Sequence, residues 1–330
     1  MNKKKIIIQS IGLALLIAGT LWIAHRERTV QYQHNEGFVF GTVYSVTYQY
    51  DNDLKKEIEA ELQKVDNALS PFNDKSLISA INNNRDTTTN EMFEQVFKLA
   101  MQVSADTEGA FDVTVAPLVN AWGFGFKNGA MPDDNQVDSL LQIVGYQKVH
   151  LKNHHVQKDD PRIMLDCSAI AKGFGVDVIA AFLTRKGIDN YMVEIGGEVV
   201  TRGVNPKREP WHIGVSKPTE DSLANNSELQ TVLEVNNQAM ATSGNYRNFY
   251  YKGGKKYAHT IDPKSGRPVQ HTLLSSTVLA PTCAMADAYA TSFMVMGMDK
   301  AKKVLERNTQ LKAYFIYDEG GELKTWQNTK

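Results

Sequence analysis

Segments typical of strands and segments typical of helices mix along this chain without the strict alternation of a doubly wound parallel sheet. The stretch Phe38–Tyr48 alternates along its length and is rich in β-branched and aromatic residues, which predicts a strand. Apolar residues recur at helical spacing over Leu54–Leu69 and Ala169–Lys186. We therefore expect an α+β domain. Further helices are predicted over Thr89–Ala105 and Pro132–Val144, further strands over Tyr191–Ile195, Trp211–Val215, Thr231–Val235, Leu274–Leu279 and Ala313–Tyr317, and a surface loop over Thr219–Leu229.

The N-terminus carries a long uncharged segment. Three lysines at positions 3 to 5 precede the run Ile6–Ala24, which at about 1.5 Å per residue can cross a hydrocarbon core of about 30 Å. The run fits a signal peptide or a membrane anchor. Because Trp22 stands where a small residue is wanted for cleavage, we favour an uncleaved anchor over residues 1–28, followed by one domain over 29–330. The preceding lysines place the N-terminus in the cytoplasm and the body outside it.

Composition limits the class of protein. The 330 residues carry a formal net charge of -1 and are 42% hydrophobic, so the chain can bury a large core and is no polycation. Nucleic acid is therefore not an expected partner. Cys167 and Cys283 are too few for a disulfide framework; a single bridge between them stays open, although we read both as small buried apolar residues.

Two segments near the C-terminus suggest chemistry on a phosphate. A helix over Ala286–Thr291 would set Asp287 and Thr291 on one face, where two oxygens can meet on a hard cation. A turn rich in proline and glycine carries His259 and Asp262 just before it. Taken singly, each feature also has a structural explanation, since such turns are common and a helical threonine often bonds back to its preceding turn.

Several other segments favour the functional explanation of these features over the structural one. They are Gly109–Val119, Trp122–Gly125, Leu165–Gly173, Val193–Glu198 and Ala241–Arg247. With these motifs in this order, over roughly residues 36 to 327, the chain resembles the ApbE family, the FAD:protein FMN transferases. The resemblance implies an ApbE-like domain of mixed sheet and helices, here preceded by one N-terminal membrane segment.

The resemblance also assigns roles to residues of this chain. A magnesium ion would be held by Asp287, Thr291 and the backbone carbonyl of Ala169. His259 is the best candidate base, because a histidine is largely neutral at pH 7. The positions that would contact the flavin substrate are Phe40, Phe72, Ala110, Phe111, Asp112, Asp166, Lys172 and Ile261.

Three of these positions depart from the family's usual pattern or vary within it. The position of Lys172 is occupied by an acidic residue in some relatives. The position of Phe72 is often tyrosine, and Phe40 replaces the more usual methionine. The substitutions at 40 and 72 keep the apolar character, and core packing is the alternative explanation for both rings and for Phe111.

The implied reaction is magnesium-dependent transfer of FMN from FAD to a threonine hydroxyl of an acceptor protein, with release of AMP. The implied acceptors are extracytoplasmic domains of membrane electron-transport proteins, such as subunits of sodium-pumping NADH:quinone oxidoreductases. The enzyme would then sit at the bacterial inner membrane with its catalytic domain on the periplasmic side. Two other functions stay open: a metal-dependent FAD pyrophosphatase that gives FMN and AMP, and a protein that binds or stores flavin.

Overall fold

A central antiparallel sheet of eight strands organises the chain. The computed structural model describes residues 11–20, 22, 31–126, 131–218, 228–246 and 249–328. The strands of the large sheet lie in the order β1, β2, β5, β6, β9, β14, β15, β16. Their bounds are β1 Tyr32–Val39, β2 Thr42–Gln49, β5 Tyr191–Ile195, β6 Glu198–Arg202, β9 Ala239–Gly244, β14 Leu273–Ala280, β15 Lys312–Glu319 and β16 Glu322–Gln327.

Four small two-stranded sheets join the large one. Their strands are β3 Val149–Lys152 with β4 His155–Lys158, β7 His212–Ser216 with β8 Leu229–Glu234, β10 Phe249–Lys252 with β11 Lys255–Ala258, and β12 Ile261–Asp262 with β13 Arg267–Pro268. The helices beyond residue 31 are α1 Lys55–Leu69, α2 Leu77–Asn82, α3 Glu91–Asp106, α4 Ala116–Ala121, α5 Asp134–Leu141, α6 Ala171–Arg185, α7 Cys283–Met296 and α8 Met298–Arg307. This arrangement agrees with the expected α+β class.

Helix α7 lies at the centre of the packing. It contacts β9 and β14 of the sheet and packs along α6, which itself packs on α1 and β5. The mean character of α7 is apolar all round, and most of its side chains are buried, as expected for a helix enclosed by other elements. A buried Asp287 in such a helix therefore stands out, because a carboxylate there must be compensated.

The segment predicted as one strand over Phe38–Tyr48 is instead a hairpin. Strands β1 and β2 pair from Val39 opposite Thr42, so Phe40 and Gly41 form a two-residue turn with φ of 51° and 75°. Positive φ at both positions is the pattern of a type I′ turn, and glycine adopts such φ values freely whereas phenylalanine does not. The sequence carries no ordinary turn signal at Phe40. The alternating pattern of side chains therefore continues across the turn and predicts a single strand.

Capping side chains set the start of two predicted helices. The sequence predicts a helix over Thr89–Ala105 that is entered at Thr89 or Asn90, and α3 begins after Asn90, whose side chain accepts the Phe93 amide. The helix expected over Pro132–Val144 is α5 alone, because Asp133 and Gln136 form a capping box at its start. In both cases the capping side chain sets the boundary.

Part of the predicted anchor lies outside the described residues. Residues 11 to 20 and residue 22 are helical, and the rest of the run from 6 to 24 is not described. Within the part of the chain that is described, no helix combines the length and the apolar character that crossing a bilayer needs. Most of the predicted loop, residues 219 to 227, also falls outside the described residues, and Leu229 already belongs to β8.

Candidate active site

A single cleft of about 990 Å³ gathers the residues that the sequence singled out. It opens beside the α6 and α7 pair and is walled by the glycine turn between β5 and β6, by the C-terminal end of β9 and by the segment around β12. Every candidate residue lines it: Phe40, Phe72, Ala110, Phe111, Asp112, Asp166, Ala169, Lys172, His259, Ile261, Asp287 and Thr291. The chain thus brings together positions that span most of its length, while their individual roles remain predictions.

The Asp287 carboxylate reaches from α7 to the first turn of α6. Its Oδ2 accepts the Gly173 amide hydrogen at 3.1 Å. In a regular helix that amide would donate to the carbonyl four residues earlier, which is that of Ala169. No described residue donates a hydrogen bond to the Ala169 carbonyl. The same contact therefore fixes Asp287 and leaves a backbone oxygen available in the cleft.

Thr291 lies one helical turn beyond Asp287. Its Oγ1 is 2.9 Å from Ser243 Oγ on β9, so the hydroxyl points from α7 toward the sheet. The alternative, in which the hydroxyl bonds back to the preceding turn of its own helix, is the arrangement of Ser292, which donates to the Ala288 carbonyl at 2.7 Å. A hydroxyl bonded once keeps a lone pair for a further partner.

Lys172 lies between two buried carboxylates. Its Nζ is 3.0 Å from Glu198 Oε1 and 3.7 Å from Asp287 Oδ1. The two acidic side chains are 4% and 3% exposed, whereas that of Lys172 is 29% exposed. Charges buried this far require pairing, because the interior solvates them poorly.

Lys172, Glu198 and Asp287 shift one another's pKa values. Burial raises the pKa of Glu198 to about 7, with Asp287 adding to the rise and Lys172 opposing it. Burial likewise raises the pKa of Asp287, against the opposing effects of Lys172 and the Gly173 amide. Burial works against the charged form of Lys172, but Asp287 and Glu198 outweigh it and raise its pKa. With all three ionised the cluster carries one net negative charge, which favours an added cation.

Asp177 holds the two helices of the site together. Its two carboxylate oxygens accept the amide hydrogens of Cys283 and Ala284, each at 2.8 Å, at the start of α7. Unpaired amides at a helix N-terminus make this a favourable place for a carboxylate. Asp177 does not line the cleft in the described structure, so it supports the site from behind.

The histidine side of the cleft is aromatic. His259 is half-buried, and the Phe124 ring lies edge-on to its imidazole with centroids 6.4 Å apart. Phe124 stacks on Tyr250, Tyr250 on Tyr257 and Tyr257 on Trp122, with centroid distances of 5.2, 5.4 and 5.7 Å. The stack fixes the wall against which the imidazole is held.

The chain is also fixed on the other side of His259. Thr260 Oγ1 donates to Asn245 Oδ1 at 2.5 Å, and the Thr260 carbonyl accepts the Val269 amide at 3.0 Å. The Asp262 carboxylate accepts the Lys264 amide at 3.0 Å, an interaction within the turn. Asp262 could orient the His259 imidazole or cap the turn, and this bond favours capping.

The phenylalanines differ in their surroundings. The Phe40 ring approaches α6 where Gly175 leaves room: a Cβ there would be 2.6 Å from Phe40 Cε2. Phe72 is 68% exposed and meets the Phe126 ring edge-on at 6.0 Å. Phe111 is buried in the main core. Phe72 is thus the aromatic surface most open to a ligand, and simple core packing accounts for much of Phe111.

Two of the predicted flavin contacts are engaged within the protein. Asp112 Oδ1 accepts both the amide and the hydroxyl of Thr114, at 2.8 and 2.6 Å, and its Oδ2 accepts the Tyr146 amide at 2.8 Å. Ile261 packs in a small core cluster with Leu118 and Trp122. Any contact of Asp112 with a ligand is therefore best made through its backbone.

Asp166 is held in place by one backbone hydrogen bond and one side-chain hydrogen bond. Its amide donates to the Val113 carbonyl at 2.7 Å, and its Oδ1 accepts the Ser168 amide at 2.8 Å. Burial raises the pKa of this carboxyl, against the opposing bonds from Ser168.

The oxygen donors of the site fit a magnesium ion. Asp287 supplies a carboxylate, Thr291 a hydroxyl with a spare lone pair, and Ala169 a carbonyl that no described residue uses. Magnesium prefers such hard oxygens and keeps several waters or substrate oxygens in its coordination sphere. Among the described residues no group of three or more His, Cys, Asp or Glu could hold a metal, so the fit depends on this mixed set.

Sequence reasoning missed Glu198 and Ser243 as members of the site. Both lie in motifs that the sequence analysis singled out, yet neither was expected to act. The available signal for Glu198 was its position after Gly196 and Gly197, whose φ values of 64° and 102° make a tight turn that delivers the next side chain into the cleft. Both cysteines are free and buried, as expected.

Comparison with known proteins shows which family this chain is similar to. The sequence model of the ApbE family matches residues 40–315. The FAD:protein FMN transferase of Vibrio cholerae serotype O1 is 37% identical over 306 residues, which cover 88% of this chain and 90% of that protein. The FAD:protein FMN transferase of Haemophilus influenzae is 37% identical over 330 residues, covering 95% and 93% of the two chains.

A solved structure is similar throughout. The flavin transferase ApbE from Vibrio cholerae superposes with a TM-score of 0.81 at 36% sequence identity, covering 90% of this chain and 97% of that one. Family match, sequence identity over most of both chains and shared fold lead to one conclusion: this chain belongs to the ApbE family.

Proposed function

We propose that this protein is an FAD:protein FMN transferase that depends on magnesium, modifies a threonine hydroxyl and releases AMP. The activity is the one that its relatives are named for. The observation that carries the proposal is the cleft in which a histidine, a buried carboxylate and an open aromatic surface meet. FAD offers a partner for each, since it has apolar rings and a pyrophosphate.

In this proposal the acceptor hydroxyl attacks the phosphorus of the FMN half of FAD. A new bond forms between the threonine Oγ and that phosphorus, and the bond from phosphorus to the bridging pyrophosphate oxygen breaks. The bridging oxygen leaves with AMP. His259 takes the proton of the hydroxyl, and the fixed chain around Thr260 keeps the imidazole in place for that transfer.

Charge control is the other requirement of phosphoryl transfer. When bound by Asp287, Thr291 and the Ala169 carbonyl, a magnesium ion would offset the charge of the pyrophosphate. Lys172, which is partly exposed in the cleft, would add a fixed positive charge near the pyrophosphate. The aromatic wall around Phe124 and the surface of Phe72 limit where the flavin rings can lie.

The acceptors that we propose are extracytoplasmic domains of membrane electron-transport proteins. The support is the uncharged run of residues 6 to 24 after three lysines, which would anchor the enzyme with its catalytic domain on the periplasmic side of the inner membrane. An anchored enzyme reaches acceptors in the same membrane.

One incubation distinguishes this proposal from its alternatives. The protein is mixed with FAD and magnesium, with and without a candidate acceptor, and the flavins and nucleotides are separated by chromatography. Transfer gives AMP and acceptor-bound flavin, and only when the acceptor is present. Free FMN plus AMP without the acceptor would indicate a pyrophosphatase, and unchanged FAD would indicate a flavin-binding protein.

A further inference from the structure

Glu198 occupies an unusual place in the cleft. Its side chain is 4% exposed, and one of its carboxylate oxygens, Oε1, bonds to Lys172 Nζ at 3.0 Å. The other oxygen, Oε2, is buried and has no hydrogen-bond partner in the described structure. A buried carboxylate normally has several donors, so the charge of Glu198 is compensated almost entirely by one ammonium group.

The position of Glu198 is set by the backbone. It is the first residue of β6 and pairs with Ile195 across the Gly196–Gly197 turn. A Cβ on Gly196 would lie 2.8 Å from Thr42 Cγ2, so the turn is packed tightly against β2. The Glu198 carboxylate therefore enters the cleft from the sheet, whereas that of Asp287 enters it from α7.

The Lys172 ammonium lies near two carboxylates and is closer to that of Glu198 than to that of Asp287. The distance from Nζ to Asp287 Oδ1 is 3.7 Å, against 3.0 Å to Glu198 Oε1. Asp287 Oδ2 is already engaged by the Gly173 amide, so Oδ1 is the oxygen with room for another partner. An ammonium placed directly on Oδ1 would compete with a divalent cation for that oxygen, since both are positive.

We infer that Glu198 is a positioning residue, which holds the Lys172 ammonium away from Asp287 Oδ1 so that this oxygen stays available to a divalent cation. The inference rests on the proposed function, because it presumes a cation at Asp287. It adds a residue to the site that acts through Lys172 and need not touch the reacting atoms. Partners of this kind around metal ligands typically change metal affinity by about 10- to 100-fold when they are removed.

The test measures metal binding and does not depend on flavin transfer. The full chain, with saturating FAD and no acceptor, is titrated with Mn²⁺, and the free Mn²⁺ is followed by its electron paramagnetic resonance signal. Glu198→Gln keeps the side-chain shape and removes the charge, which frees Lys172 to pair with Asp287. We expect the Kd for Mn²⁺ to rise about tenfold or more.

Two further variants separate position from charge. Glu198→Asp keeps the charge but withdraws the carboxylate by one methylene from Lys172, so it should also weaken Mn²⁺ binding. Glu198→Gln combined with Lys172→Met removes the competing ammonium, so it should bind Mn²⁺ nearly as tightly as the unaltered protein. Thermal unfolding of each variant reports whether the fold is intact.

The outcomes are distinct. Unchanged Mn²⁺ affinity in Glu198→Gln would overturn the inference, as would tight binding in Glu198→Asp. A double variant that binds as weakly as Glu198→Gln would show that Lys172 is not the competitor, which also overturns it. If the unaltered protein itself fails to bind Mn²⁺ with FAD present, the proposed metal-dependent function fails, and not only the role of Glu198.

Discussion

The Gly173 amide donates to Asp287 Oδ2 at 3.1 Å across the contact between α6 and α7. The bond requires the two helices to approach closely, and only glycine permits it. A Cβ on Gly173 would overlap the Cys283 carbonyl and lie 2.8 Å from the Ala284 amide nitrogen. One backbone bond thus links helix packing to the placement of the proposed metal ligand.

Gly173→Ala should therefore weaken both the fold and the site. The added methyl group must push α6 and α7 apart, which we expect to lower the free energy of unfolding by about 1–3 kcal/mol, the usual cost of overpacking. Urea unfolding measures it. Equal stability of Gly173→Ala and the unaltered protein would argue against the close contact.

Asp287→Asn should abolish metal-dependent turnover and only weaken FAD binding. The amide keeps the shape of the side chain but loses the negative charge that a magnesium ion needs, while the aromatic surfaces for the flavin remain. FMN transfer in excess magnesium and FAD binding by fluorescence are the two measurements.

The matched control for that variant is Asp177→Asn. Asp177 is a second aspartate at the same pair of helices, but it bonds to the Cys283 and Ala284 amides and does not line the cleft. We expect it to lose stability and keep its dependence on magnesium. Full transferase activity in Asp287→Asn, or an equal loss of metal dependence in Asp177→Asn, would refute the assignment of Asp287 as the ligand.

His259→Asn should bind FAD and metal nearly normally and transfer FMN about 10²- to 10⁴-fold more slowly, which is the usual contribution of a general base. The asparagine is polar and of similar size, so the Phe124 wall and the Thr260 bond should persist. Single-turnover rates with FAD already bound measure the effect. Loss of FAD binding would instead make this histidine a substrate contact or a structural support.

The sequence predicts the members of the site better than their interactions. Asp287, Thr291, His259 and the positions predicted to contact flavin could be placed in one cleft because they occur in recognisable motifs along the chain. The bond from Gly173 to Asp287 and the bond from Thr291 to Ser243 join segments more than 40 residues apart. Such pairings depend on how α6, α7 and β9 pack, which local patterns do not encode.

The fold shows the same division. Helices α1, α3 and α6 and strands β5, β14 and β15 follow from hydrophobic periodicity, whereas β6 and β9 of the same sheet were not predicted from it. The Phe40–Gly41 turn was not predicted either, because a phenylalanine with φ of 51° is held by its surroundings. Strands β10 to β13 are only two to four residues long and too short for a pattern to be read. The sequence does not indicate that Glu198 carries a buried charge, because that depends on its pairing with Lys172 in the folded chain.

Asp177 should also make stability depend on pH. Burial raises the pKa of its carboxyl to about 6, although the two amides that it accepts oppose the rise. Between about pH 4 and 6 the folded protein therefore holds a proton that the unfolded chain has released, so the free energy of unfolding falls as the pH rises. The contribution is fully present below the unfolded pKa and is lost above about pH 6.

Asp177→Asn has no such proton to release. Its free energy of unfolding should change less between pH 4.5 and 6.5 than that of the unaltered protein, by at most about 1.4 kcal/mol per pH unit. Urea unfolding at the two pH values gives the comparison. An identical change in both proteins would mean that the carboxyl titrates normally in the folded state.

The N-terminal segment gives a prediction about location. If the run of residues 6 to 24 is an uncleaved anchor, the protein should stay with membranes through high-salt and alkaline washes, and Met1 should be present in the mature protein. Mass spectrometry of the N-terminus reads this directly. A mature chain that begins at or after His25 and is found in the soluble extracytoplasmic fraction would identify the run as a removable signal.

The central claim is that the cleft transfers FMN to a protein hydroxyl, and mass spectrometry of the acceptor tests it most directly. A candidate acceptor domain is incubated with the enzyme, FAD and magnesium, digested and searched for a peptide that carries FMN. A matched acceptor has the modified threonine replaced by valine. We predict covalent FMN on that threonine, no addition to the valine acceptor and little addition with His259→Asn enzyme. FAD converted to free FMN and AMP, with every acceptor peptide unmodified, would contradict the account.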